Sequence, residues 1–167
     1  MRVGDIHLKE FALLGDDDVG IRSLVMQYVY DSIHRYDQNT FHIKDIELNR
    51  RQYKLVIWVP RCLDTDSKYV LNSILKRMSG AIFVFDTTRS ETLGNIEEWF
   101  DQIVNNAGRI PVILCENKID LESRASQGKT NHLMNKYDLP LVRTSATEDI
   151  NVDMLFETLV HLTEEEE

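Results

Sequence analysis

Ile110-Pro111-Val112-Ile113-Leu114-Cys115 runs through Glu116 into Asn117-Lys118-Ile119-Asp120, an apolar stretch that ends in three polar side chains at fixed spacing. A short apolar run of this kind reads as a buried strand, and ligands of α/β sheets sit beyond the carboxyl ends of such strands. An Asn, a Lys and an Asp on that tip can read a guanine ring. The Asp accepts two hydrogen bonds from adjacent ring donors, the Asn donates to a ring acceptor, and the Lys stem lies along the ring face. Paired hydrogen bonds of this type reject analogues that lack the matching groups, so they carry specificity as well as affinity.

Around that strand, short apolar runs alternate with helical patterns. Phe11 to Leu14 is a strand candidate followed by a Gly-bounded loop, and a helix reads from about Gly20 with Leu24, Val25, Tyr28 and Val29 on one stripe. Phe41 to Leu48 and Gln52 to Val59 flank the polar turn Asn49-Arg50-Arg51 and read as a hairpin, with Tyr53, Leu55, Ile57 and Val59 on one face. Ser67 to Met78 reads as helix and Ala81 to Asp86 as a continuous apolar strand. Thr88-Arg89-Ser90-Glu91 has the form of a capping box opening a helix that carries Leu93, Ile96, Trp99, Phe100 and Ile103. A helix over roughly Lys129 to Lys136 and a strand over Leu139 to Thr144 follow. The last helix carries Val152, Leu155, Phe156, Leu159 and Val160. Continuous apolar strands separated by helices imply a three-layer α/β sandwich around a six-stranded, mostly parallel sheet.

The chain has 167 residues, 43% of them hydrophobic, enough for one domain, expected over residues 1–163 with residues 164–167 as an acidic tail. Its net charge is −9, and the lack of a basic stripe argues against nucleic acid as the main partner. Two cysteines, Cys62 and Cys115, form no disulfide framework and suit a reducing compartment. Cys62 has no metal-ligand spacing around it, and Cys115 reads as core. Neither a membrane-length apolar stretch nor a C-terminal lipidation cysteine is seen, so the expectation is a cytoplasmic protein without its own membrane anchor.

Element order and motifs together resemble a Ras-superfamily small GTPase, nearest the Rab branch, over roughly residues 7 to 162. The resemblance rests on Phe83-Val84-Phe85-Asp86-Thr87-Thr88-Arg89-Ser90-Glu91-Thr92-Leu93, Trp99, Asn117-Lys118-Ile119-Asp120 and Ser145-Ala146-Thr147. The last of these looks like the family's Ser-Ala-Lys loop with Thr in place of Lys. Leu55-Val56-Ile57-Trp58 matches the strand that leads to a metal-side Asp, and Tyr36-Asp37 resembles the start of the first switch loop. The resemblance implies that the Ala146 amide contacts the guanine carbonyl and that Lys118 also touches the phosphate loop. It implies that partners read the switch surface, near Trp58, in membrane trafficking or signalling.

The departures concern phosphate and metal. The family's G-x-x-x-x-G-K-[ST] loop reads here Gly15-Asp16-Asp17-Asp18-Val19-Gly20-Ile21-Arg22-Ser23. Both glycines remain, but Ile21 replaces the Lys that pairs with outer phosphates, and Arg22 replaces the magnesium-ligating hydroxyl. Asp17 and Asp18 add negative charge. Val59-Pro60-Arg61-Cys62 stands where the family has D-x-x-G, and Leu63 where it has the water-orienting Gln. The first-switch Thr falls on Asn39 or Thr40.

The implied site is therefore a GTP or GDP pocket: Asn117, Lys118, Asp120, Ser145, Ala146 and Thr147 for the base, and Gly15, Asp18, Val19, Gly20, Ile21, Arg22 and Ser23 for phosphate, mostly through backbone amides. Magnesium is not carried over with it. Arg22 either takes the magnesium position or pairs with Asp17 or Asp18. Three functions stay open: nucleotide binding with impaired or absent hydrolysis, a nucleotide-free scaffold whose old site is filled by Ile21 and Val59, and a slow hydrolase with rearranged groups.

Overall fold

A computed structural model describes residues 4–35, 38–60 and 67–166, the side chains of residues 67 and 68 excepted. Its elements in order are β1 (Ile6–Leu14), α1 (Ile21–Tyr30), β2 (Phe41–Leu48), β3 (Arg51–Trp58), α2 (Ser67–Leu75), β4 (Gly80–Asp86), α3 (Ile96–Ala107), β5 (Val112–Asn117), α4 (Gln127–Tyr137), β6 (Leu141–Arg143) and α5 (Val152–Glu165). The strands form one sheet in the order β2-β3-β1-β4-β5-β6. Among the described residues, β2 and β3 are the one antiparallel strand pair of this sheet. This is the six-stranded, mostly parallel α/β sandwich expected from the sequence.

Period-two alternation sends the strand residues to two cores. Phe11, Leu13, Ile82, Val84, Ile113 and Cys115 pack under α1 and α5. Ala12, Leu14, Phe83, Phe85, Val112 and Leu114 pack under α2, α3 and α4. Both faces being covered, β4 and β5 are buried along their whole length and read as unbroken apolar runs.

Element boundaries differ from expectation where charge or turn chemistry intervenes. β1 begins at Ile6, five residues before the apolar run, and its charged residues are paired inside the fold. Glu10 accepts from Arg77 Nη2 at 2.8 Å and from Trp58 Nε1 at 3.0 Å, and Lys9 lies 3.5 Å from Glu164. The hairpin turn is two residues, Asn49 and Arg50, both at positive φ (52° and 64°), so β3 starts at Arg51. α2 stops at Leu75, α4 begins two residues earlier than expected behind the Ser126 cap, and β6 is only three residues long.

The capping-box expectation at Thr88 fails. Ser90–Leu93 forms a single 3-10 turn, and α3 starts at Ile96 behind Asn95. The Thr88 hydroxyl donates backwards to Asp86 Oδ1 at 2.7 Å, so it caps no helix. α5 continues through Glu165, and Glu164 ion-pairs with both Lys9 and Arg51.

Candidate functional site

β1, β4 and β5 end side by side, so the loop after β1 and the turns after β4 and β5 meet at one end of the sheet. Gly15 opens the first loop because a Cβ there would run into the Val84 carbonyl of β4. Gly20 closes it at φ 96°, where a Cβ would land on Asn117 Nδ2. Both glycines are thus required by the loop's own packing. Asp18, at φ 62°, takes the left-handed turn between them. Gly20 also caps α1. Gly20 has no side chain to cap the helix with, and no acid lies in the first turn, which suits that amide end to an anion.

The loop is held from one side. Arg89 Nη2 donates to the Asp17 carbonyl at 2.8 Å, Lys118 Nζ to the Asp18 carbonyl at 2.6 Å, and Asn117 Nδ2 to the Val19 carbonyl at 2.9 Å. Asn95 Nδ2 binds Asp16 Oδ1 at 2.9 Å. The implied contact of Lys118 with the phosphate loop is present. Lys118 also lies 3.0 Å from Asp86 Oδ2, which accepts in addition from Arg89 Nε at 3.2 Å. Asp86 is buried, which disfavours its charge. The hydrogen bonds from the Thr88 hydroxyl and amide, Lys118 and Arg89 outweigh that penalty and hold its carboxyl at about 2.

The base side is a stapled pair of turns. Asn117, 1% exposed, accepts from the Thr144 hydroxyl at 3.0 Å through Oδ1, and the Ile119 amide donates to the Thr144 carbonyl at 3.1 Å. The Ser145 hydroxyl donates to Asp120 Oδ1 at 2.7 Å, which fixes the carboxylate at the open mouth of the site. Ser145 and Ala146 are buried and Thr147 is exposed. Ser145 pairs with Ile150 through both backbone bonds, closing the turn that carries Ala146. A buried carboxylate, Glu116, ties this unit from behind, accepting from the Thr87 hydroxyl at 2.7 Å and from Arg143 Nε at 2.9 Å.

The phosphate and metal side is different. Val19 and Val59 are 1% and 7% exposed within the α1–α5 core, and Ile21 packs against the same core. Arg22 and Ser23 are half-buried in the first turn of α1. An apolar side chain at 59 and a guanidinium at 22 do not fit a magnesium ion, whose ligands are oxygens. Asp120 and Asn117 offer the acceptor and the donor that a guanine ring needs, and the amide end of α1 suits a phosphate. Asn39 and Thr40 are exposed, just before β2. Tyr36, Asp37, Arg61, Cys62 and Leu63 lie outside the described residues.

Sequence reasoning missed Arg89, Asp86, Asn95 and Thr144 as site residues. A carboxylate ending a wholly apolar strand beside the Lys118 strand was the available signal for Asp86. A groove of about 750 Å³ at the opposite end of the sheet, between Phe100, Tyr137 and Leu162, brings none of the expected site residues together. Near Trp58, Phe41 is 44% exposed and the two rings lie 5.0 Å apart. Among the described residues, no helix is long and apolar enough to cross a membrane.

A family model described as the Ras family matches residues 10–165. Similar proteins include the Ras-related protein SEC4 of Saccharomyces cerevisiae, 29% identical over 170 residues that span 95% of this chain and 76% of that protein. The Ras-related protein Rab-13 of Rattus norvegicus is 27% identical over 164 residues, 92% of this chain and 78% of its own. The Ras-related protein Rab7 of Drosophila melanogaster is 28% identical over 167 residues, 91% and 78% respectively.

Proposed function

This chain belongs to the Ras family, as a Rab-like small GTPase, and from that membership we propose that it binds GDP or GTP without magnesium-assisted hydrolysis. One observation carries the reading. Asp120 is aimed and fixed by Ser145, while Asn117 is pinned between Thr144 and the Val19 carbonyl, so the base-reading groups are ordered before any ligand arrives. Impaired hydrolysis is supported by the positions that would steady a metal-bound transition state. Val59 is buried in the core and Ile21 packs against it, and neither apolar side chain can pair with a phosphate or ligate a cation. Protein partners would read the surface around Phe41 and Trp58 in trafficking or signalling, with the protein in the cytoplasm.

The test is direct. Purified protein is denatured and the supernatant analysed for guanine nucleotides, with and without prior chelator. Recovery of GDP or GTP in both cases is expected; loss of nucleotide on chelation would overturn the metal-independent part. In the same assay Asp120→Asn should exchange guanine for xanthine preference, because the amide presents a donor where the carboxylate accepted.

The burial of Val59 and the packing of Ile21 against the same core favour a second reading, a nucleotide-free module that presents its surfaces to partners. It gains if no nucleotide is recovered and Asp120→Asn changes no ligand preference.

A further inference from the structure

We propose that Arg89, with Lys118, supplies through the loop's carbonyls the positive charge for a diphosphate that Ile21 cannot carry. The inference rests on the nucleotide reading above and adds to it a residue outside the loop.

Three consecutive loop carbonyls, those of Asp17, Asp18 and Val19, each accept from a side chain on a neighbouring strand end. Two of the three donors are cations. No peptide bond among the described residues is cis. In a trans peptide the N–H points opposite to the carbonyl of the same unit. The N–H groups of Asp18, Val19 and Gly20 are therefore turned away from Arg89, Lys118 and Asn117. A donor on one end of a peptide unit polarises the whole unit and strengthens its N–H as a donor on the other. Two charge-assisted bonds at the back of the loop thus raise the affinity of its front for an anion.

Arg89 and Lys118 both pair with one carboxylate, Asp86. The loop's own Asp16, Asp17 and Asp18 are negative as well, so these two cations offset charge where a diphosphate would add more. Lys118 also faces the base side, so Arg89 is the cation whose removal leaves base recognition least disturbed. Its guanidinium is engaged by Asp86 Oδ2 through Nε and by the Asp17 carbonyl through Nη2. Arg89 is accordingly a positioning residue: it acts on phosphate through the loop backbone.

The experiment measures competition of GDP, GMP and guanosine against a fluorescent N-methylanthraniloyl-GDP, in chelator, for the wild type, Arg89→Leu, Arg89→Gln and Arg89→Lys. The ratio of GDP to guanosine affinity should fall about tenfold in Arg89→Leu, the scale of one charge-assisted hydrogen bond. Arg89→Gln should fall with it, and Arg89→Lys should restore the ratio to within about threefold of wild type. A purely structural role would lower GDP and guanosine together, leaving the ratio unchanged in all three variants, and that result overturns the inference. If Arg89→Leu does not fold, the Gln and Lys pair decides by the same ratio. If the wild type binds none of the three ligands, the nucleotide reading itself has failed. Wild-type binding with an unmoved ratio refutes only the role given to Arg89.

Discussion

Asp86 is 1% exposed and still ionised, because four hydrogen bonds from Thr88, Lys118 and Arg89 outweigh its burial. Its carboxyl is held at about 2 against an ordinary 3.8. A depressed carboxylate stabilises the fold above its ordinary value, and the contribution disappears as pH falls towards 2; a shift of this size corresponds to about 2 kcal/mol. Urea midpoints measured from pH 7 to pH 2 should show wild type losing that margin below pH 4. The gap between wild type and Asp86→Asn should narrow by a similar amount, and a constant gap would refute the assignment. Cys115 shows the opposite balance. Burial pushes its thiol up to about 12, Thr144 pulling it down and Glu116 adding to the rise. In native protein at pH 8, mass mapping should find Cys115 unalkylated by iodoacetamide, and modified once urea is added. Its core role was legible from the sequence because it lies on an apolar run. Arg89 was not legible, because its role is a bond to a backbone oxygen 72 positions away, which no local pattern encodes.

At the scale of elements, the turns decide more than the propensities. Gly20→Ala would force a left-handed residue, costing about 1–2 kcal/mol, and would push Asn117 off the Val19 carbonyl. Chemical denaturation should therefore show a loss of about 2–3 kcal/mol once the broken hydrogen bond is included. Guanine binding should weaken with it, since Asn117 is shared between loop and base. The hairpin gives a change of opposite sign. Arg50 sits at φ 64°, where glycine is unstrained, so Arg50→Gly should raise stability by about 0.5 kcal/mol after the entropy of glycine is subtracted. Sequence placed this hairpin but assigned it one turn residue too many, since Arg51 is as polar as its neighbours. It lost the first half of β1 for a different reason. Lys9 and Glu10 look solvent-seeking until their partners, Glu164, Arg77 and Trp58, are brought in from distant segments. At Thr88 a local pattern pointed to a helix start, and a preceding carboxylate, Asp86, competed successfully for the hydroxyl.

Over the whole molecule, the layer order was readable because parallel strands buried on both faces leave unbroken apolar runs, and the strand-end site follows from that order. Whether the site can switch was not readable, because switching depends on how the α1–α5 core reaches the loops. That core contains Val19 and Val59 and takes in Ile21, so it extends to the end of the sheet where a third phosphate would lie. A triphosphate can shift a conformational equilibrium only by contacts that a diphosphate lacks. Apolar groups packed at 21 and 59 offer none. Protein loaded with GDP and protein loaded with a non-hydrolysable GTP analogue should therefore give superimposable hydrogen-exchange curves for peptides covering residues 36–40 and 59–75. Both should differ from nucleotide-free protein in peptides covering residues 15–23 and 117–120. Protection of residues 59–75 by the triphosphate alone would mean that a contact outside this core senses the third phosphate, and the reading of this chain as a binder without a switch would fall.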